Sequence, residues 1–195
     1  MESVLPRYEF RVWGDQLNDV FSAIAANSRL IESRARMETY LVSRQDAGTN
    51  PKIRDDELDV KVLLGVEEGC EQWEPTVRMT LPLSVGQVRE VLAGWLDLDD
   101  VILERDVYTR QQLVDEAVAP RNDVGAVEIA KIRHAYEVNG CIAEVADVTI
   151  AGSTLQTAAV ESTDLGLLLA ARRLVGLEGM ENINYPREIR KVLGW

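Results

Sequence analysis

Alternation of apolar and polar positions runs through most of this chain, broken by stretches in which apolar residues recur at helical spacing. Val4–Trp13 is rich in aromatic and β-branched residues and is closed by Gly14, which predicts a first strand. Asp15 is a residue type that caps helices, and Leu17, Val20, Phe21 and Ile24 follow on one helical face, up to Asn27-Ser28. Ile31–Arg44 reads as a second strand, and 46–51 (Asp-Ala-Gly-Thr-Asn-Pro) is a turn cluster. Lys52–Arg54 and Leu58–Leu64 predict a hairpin around Asp55-Asp56-Glu57. In Trp73–Leu83, Val77, Met79 and Leu81 alternate with Arg78 and Thr80, which predicts another strand.

Ser84 then caps a helix carrying Val85, Val88, Val91, Leu92 and Trp95. Val101–Tyr108 reads as a strand and Pro120–Gly125 as a loop. Val127–Val138 and Cys141–Ile150 flank Asn139-Gly140, a strong two-residue hairpin signal. Gly152-Ser153 turns the chain into Thr154–Glu161, and the remainder is helical over Leu165–Leu174 and, after Pro186, over Arg187–Leu193. About eight strands, mostly in meander order, with helices at the first connection, the middle and the last part, predict an α+β fold. An antiparallel sheet or closed barrel dominates it. No repeat, low-complexity tract or flexible linker divides residues 1–195, which are expected to form a single domain.

Several of these strands carry charges of both signs on one face. A two-residue turn at Asn139-Gly140 pairs Val138 with Cys141, Ala135 with Glu144 and Arg133 with Ala146. Period two then places Lys131, Arg133 and Glu144 on one face, and His134 on the other. The same pattern recurs with Glu9 and Arg11, with Lys52 and Arg54, with Asp59 and Lys61, and with Arg78. One such hairpin could be an ordinary solvated sheet face. Recurrence from strand to strand points instead to a groove or tunnel lined by guanidinium and ammonium groups. Such a lining is costly unless an anion fills it, and a polyphosphate suits several arginine forks at once. Intermixed carboxylates are what Mg²⁺ or Mn²⁺ requires.

Composition narrows the setting. Of 195 residues, 46% are hydrophobic and 28% charged, a globular balance. Acidic residues outnumber basic ones 33 to 21, a formal net charge of −12, which argues against broad nucleic-acid binding. Apolar runs such as Leu165–Leu169 are far too short to span a bilayer, and no secretory leader is apparent at Met1–Arg11. Cys70 and Cys141 have no metal or redox spacing and read as small buried hydrophobes. A cytoplasmic protein with no membrane partner is therefore expected. Exposed sheet edges would let two copies pair as a homodimer.

The order of these pieces resembles the CYTH superfamily of triphosphate tunnel enzymes, which includes thiamine and inorganic triphosphatases and class IV adenylate cyclases. The likeness spans nearly the whole chain, through short motifs. The family opens with Glu-x-Glu-x-Lys; Arg7-Tyr-Glu-Phe-Arg11 is similar, with Glu9 and Arg11 matching and Arg7 in place of the first Glu. Glu38-Thr-Tyr-Leu41, Lys52-Ile-Arg54 and Leu58-Asp-Val-Lys61 follow the family's order, as does Lys131-Ile-Arg133. Arg78 and Arg105 fall where later strands supply phosphate-binding cations, with Arg110 a rival to Arg105. Val160–Thr163 resembles the closing Glu-x-Glu strand, with Glu161 kept and Thr163 replacing the second Glu. Asn184-Tyr185-Pro186 resembles the final Tyr-containing stretch.

The resemblance implies an eight-stranded antiparallel tunnel with helices packed outside. Arg11, Lys52, Arg54, Lys61, Arg78, Arg105, Lys131 and Arg133 would contact the phosphates of a triphosphate or polyphosphate. Glu9 and Glu161 would be catalytic and, with Glu144, would hold Mg²⁺ or Mn²⁺ for hydrolysis of inorganic, nucleoside or thiamine triphosphate. The alternative is a tunnel that has lost metal ligands at Arg7 and Thr163 and binds a polyphosphate or nucleotide without cutting it, or serves as a subunit of an assembly. Trp13, Trp73, Trp95 and Trp195 are expected to pack under helices, and Arg172-Arg173 to lie on a solvated helix face.

Overall fold

A computed structural model describes residues 5–96, 98 and 101–195. The chain order is β1 (Arg7–Gly14), α1 (Asn18–Ala26), β2 (Arg29–Ser43), β3 (Thr49–Arg54), β4 (Glu57–Glu67) and β5 (Cys70–Thr80). Then come β6 (Leu83–Ser84), α2 (Val85–Leu96), β7 (Val107–Tyr108) and α3 (Arg110–Gln112), which continues as a π-helix over Leu113–Val118. β8 (Val124–Val138), β9 (Cys141–Ile150), β10 (Ser153–Ser162), α4 (Leu165–Leu174) and α5 (Tyr185–Leu193) complete it. Eight strands close into an antiparallel barrel in the order β1-β10-β9-β8-β2-β3-β4-β5, while β6 and β7 form a separate ladder. The expected α+β barrel is present. Its order is not a plain meander, because β1 lies between β10 and β5, and β2 pairs with β8. Closure is narrow at two seams, where β2 meets β3 only at Thr39 and Tyr40 and β1 meets β5 only over Arg7–Glu9.

Turn chemistry sets the registers. Asn139 and Gly140 both have positive φ (48° and 80°), and the hairpin pairs Val138 with Cys141, Ala135 with Glu144 and Arg133 with Ala146 as expected. Asp55 and Asp56 take positive φ in the same way and pair Arg54 with Glu57. Ser84 and Gln87 form a reciprocal cap at α2, the Ser84 N–H donating to Gln87 Oε1 at 2.9 Å.

Three expectations change. The strand placed at Val101–Tyr108 reduces to Val107-Tyr108, since 101–106 follow an irregular course. Asp15 does not cap α1, which begins at Asn18 after Leu17 with no side-chain cap; the Leu17 N–H is taken instead by Gln156 Oε1 at 2.7 Å. Val4, where the first strand was expected to begin, lies outside the described residues.

Alternation then divides the barrel walls. Outward residues such as Phe10, Val12, Val145 and Val160 are buried with α1 and α4. Leu41, Ile53, Leu58 and Val60 are buried with α2 and the π-helix. Tyr40, Val42, Ile129, Ala146, Val148 and Ile150 point inward and pack with Tyr185 and Ile189 of α5. That helix is held at the barrel end by its cap, Asn184 Oδ1 accepting from the Arg187 N–H at 2.9 Å. α5 and this apolar cluster fill one end of the barrel, and the charged faces occupy the rest. No described helix is long and apolar enough to cross a membrane.

Ile189 is fully buried in this plug. Ile189→Ala is expected to cost about 2–5 kcal/mol, read as a lower urea midpoint at unchanged slope.

Candidate functional site

The inward positions above the plug line a cavity of about 320 Å³. β1 contributes Glu9 and Arg11, β2 Glu32, Arg36 and Glu38, and β3 Lys52 and Arg54. Lys61 comes from β4, Lys131 and Arg133 from β8, Glu144 from β9 and Glu161 from β10. The lining holds seven cations against five carboxylates, a positive interior in a chain whose net charge is −12. Each charge is there because its strand alternates: the neighbours on either side of Arg11, Phe10 and Val12, pack on the outer face.

Ion pairs hold the lining together. Glu144 receives Lys131 Nζ at 2.8 Å, Arg11 NH1 at 3.1 Å and the Arg133 Nε. Burial pushes the Glu144 carboxyl up, but Lys131, Arg11 and Arg133 outweigh it and hold the group well below the carboxylate range. Arg11 also donates to Glu9 at 2.8 Å, and Arg133 NH1 reaches Glu32 at 3.1 Å. Burial opposes the charge on Glu9; Arg11 and Lys61 overcome it, so its pKa is lowered. Arg54 pairs with Asp59 at 2.7 Å and Arg36 with Glu38 at 2.7 Å. Glu71 departs from this pattern: burial raises its pKa, against hydrogen bonds from Asn184 and Trp73.

Two ammonium groups have no such partner. Neither Lys52 nor Lys61 has a carboxylate within 4.0 Å among the described residues. Burial pushes Lys52 down to about 8, against the pull of Glu38 and with a further push from Lys61 and Arg54. The floor beneath the cations is aromatic. Tyr185 lies 4.7 Å from the Arg11 guanidinium and 4.8 Å from Lys131 Nζ, and stacks on Tyr40 at 5.2 Å. Lys52 Nζ sits 5.7 Å from the Tyr40 ring.

The structure therefore brings Glu9, Arg11, Lys52, Arg54, Lys61, Lys131, Arg133, Glu144 and Glu161 to one cavity. Two expected cations stand elsewhere. Arg78 is exposed on the far end of β5, its Nε 4.0 Å from Glu57. Arg105 lies in the irregular 101–106 segment and donates to Glu116 at 2.6 Å, because the strand that would have aimed it inward does not form. Its rival Arg110 bonds to Thr39 and does not line the cavity. Trp73 lines the cavity instead of packing under a helix. Arg172 covers the Phe10 ring at 3.8 Å, so only Arg173 keeps to the solvated face.

Arg36, Glu32, Asn50 and Asn184 were missed as lining residues. The signal for Arg36 was available, since Arg34, Arg36 and Glu38 alternate in β2 as Lys131 and Arg133 do in β8, and Arg36 pairs in register with Lys131. For Asn184 the signal lies only in the resemblance of Asn184-Tyr185-Pro186 to the family's final Tyr-containing stretch, and the docking of α5 brings it to the barrel.

Whether the carboxylates suit a divalent cation can be tested on their partners. Glu9 is engaged by Arg11, Glu144 by three cations, and Glu161 by Arg7 NH1 at 3.2 Å. Among the described residues no three His, Cys, Asp or Glu side chains come together in an arrangement that could hold a metal ion. The donor set does not fit a resident Mg²⁺ or Mn²⁺.

No family model matches the chain, and no curated protein does. Solved structures do. A conserved hypothetical protein from Pyrococcus furiosus matches over 91% of this chain and 98% of its own, at 16% identity and a TM-score of 0.53. A candidate adenylyl cyclase from Hippeastrum, described as having a dominant triphosphatase activity, matches over 95% and 96% at 14% identity and 0.52. The PH1012 protein of Pyrococcus horikoshii OT3 matches over 94% and 98% at 13% identity and 0.53. The closed eight-stranded topology and these likenesses, over nearly the whole of each chain, show that this protein shares the fold of these solved structures.

Proposed function

We propose that this protein binds the phosphates of a triphosphate-bearing molecule inside the barrel. The observation that carries the reading is the pair of ammonium groups, Lys52 and Lys61, that face the cavity without a carboxylate within 4.0 Å among the described residues. A half-buried charge with no carboxylate beside it carries a desolvation cost, and an anion in the cavity would offset it. Arg11, Arg54, Lys131 and Arg133 surround the same space with fixed forks and ammonium groups suited to phosphate oxygens. The aromatic floor backs them, so a phosphate chain would rest on cations held from below.

Hydrolysis of the bound triphosphate is the second reading. It is favoured by Glu9 and Glu161, which face one another in register on β1 and β10 at the level of the cations. The triphosphatase activity described for the Hippeastrum neighbour points the same way. In this reading the cations would neutralise the transferring phosphoryl group, and Glu9 or Glu161, once released from its arginine, would orient the attacking water.

Thermal shift and calorimetry with tripolyphosphate, alongside phosphate release with and without Mg²⁺ or Mn²⁺, test both readings. Tripolyphosphate should raise Tm, and Lys61→Met or Arg133→Ala should weaken binding by about tenfold or more. Absence of stabilisation by tripolyphosphate, ATP and thiamine triphosphate would defeat the binding reading. Release that vanishes in both Glu9→Gln and Glu161→Gln would establish hydrolysis; binding without release would remove it.

Lys52 adds a pH test. Its folded pKa, about 8, lies below the ordinary 10.5, so the free protein carries the full cost of the buried charge below pH 8. That cost disappears as pH rises towards the unfolded value, and wild type should gain stability relative to Lys52→Met across this window. A bound anion stabilises the charged form, so affinity for tripolyphosphate should fall as pH rises above about 8. Lys52→Met removes this component while leaving the ligand's own titration in place. Parallel pH profiles for the two proteins would contradict the assignment.

A further inference from the structure

We infer that Arg7 supplies the positive charge at the cavity mouth, so that the site holds its phosphate ligand without a divalent metal ion. This rests on the phosphate-binding reading above and concerns what accompanies the phosphates. Arg7 stands on the same face of β1 as Glu9 and Arg11, at i, i+2 and i+4, and donates to Glu161 at 3.2 Å. Tyr8 pairs with Ser162, so continuing the antiparallel register sets Arg7 opposite Thr163. Arg7 thus stands at the rim beside Glu161, with Thr163 exposed just past the end of β10.

The charges leave a dication little to bind. A metal between Glu9 and Glu161 would have to displace Arg11 from one and Arg7 from the other, with both guanidinium groups remaining close by. Glu144, the third acidic candidate, is already shared among Lys131, Arg11 and Arg133. A phosphate chain has the opposite effect. It can accept hydrogen bonds from Arg7 and Arg11 as their carboxylates turn away, which exchanges one anionic partner for another and leaves each fork satisfied. Arg7 is also the more accessible partner of its ion pair, with 39% side-chain exposure against 25% for Glu161, so it can swing to an entering ligand.

Mg²⁺ then acts on the ligand and not on the protein. By chelating tripolyphosphate it removes charge from the species the cavity is built to receive, and so weakens binding.

Titration calorimetry with tripolyphosphate, in metal-stripped buffer with EDTA and in buffer with Mg²⁺, tests the assignment. Wild type should bind in EDTA, and more weakly with Mg²⁺. Arg7→Glu should lose about tenfold or more of the metal-free affinity and gain affinity on adding Mg²⁺. Arg7→Lys should keep metal-free binding, while Arg7→Gln should lose it. The resonance signal of free Mn²⁺, with no phosphate present, should be undiminished by wild type and reduced by Arg7→Glu. Should Arg7→Glu not fold, the comparison of Arg7→Lys with Arg7→Gln decides. The assignment is overturned if wild type binds only with Mg²⁺, if it depletes free Mn²⁺, or if Arg7→Gln binds in EDTA as wild type does. Failure of wild type to bind in either buffer would instead remove the phosphate-binding reading itself.

Discussion

Seven cations can share the interior of one barrel because carboxylates are interleaved among them, and Glu144 holds the largest share of that balance. It stands on β9 and is reached by Arg11 from β1 and by Lys131 and Arg133 from β8, so one side chain ties together groups from three strands. The arrangement is costly to desolvate and is not where folding stability comes from. That comes from the apolar clusters: the outer ones, where the alternate residues of the same strands bury Phe10, Val12, Leu41 and Leu58 under helices, and the inner plug around Ile189.

Much of this was legible in the sequence because period-two alternation reports facing directly. Lys131, Arg133 and Glu144 could be assigned to one face from Asn139-Gly140 alone, and the register agrees pair by pair. The hairpin at Asp55-Asp56 likewise aimed Lys52, Arg54 and Lys61 inward. Where no regular element forms, the same arithmetic has no meaning. Arg105 was assigned through a strand that does not exist, and Arg78 sits where β5 has run past the cavity to the exposed end of its ladder.

What sequence spacing could not supply is the floor. Tyr185 and Asn184 belong to a helix more than twenty residues beyond the last barrel strand, and their place depends on how α5 docks. Their contacts with Arg11, Lys131 and Glu71 are tertiary throughout. The same limit explains Trp73, which is on an inward position of β5 and has a hydrogen-bonded indole facing Glu71, although its composition alone suggested a core residue. Tyr185 and Tyr40 serve instead as surfaces for cations.

The position of β1 has a consequence for how the protein assembles. β1 pairs with β5 on one side and with β10 on the other, so Tyr8 meets Ser162 across most of the chain's length. The local hairpins β3–β4, β4–β5, β8–β9 and β9–β10 can form early, since each closes a short loop. The β1–β10 seam must wait until those sheets have found one another. Glu9 and Arg11 stand on that seam, so closing the charged cavity depends on the pairing most distant in sequence. Lys131, Arg133 and Glu144 come from one local hairpin, whereas Arg11 reaches Glu144 only across that seam.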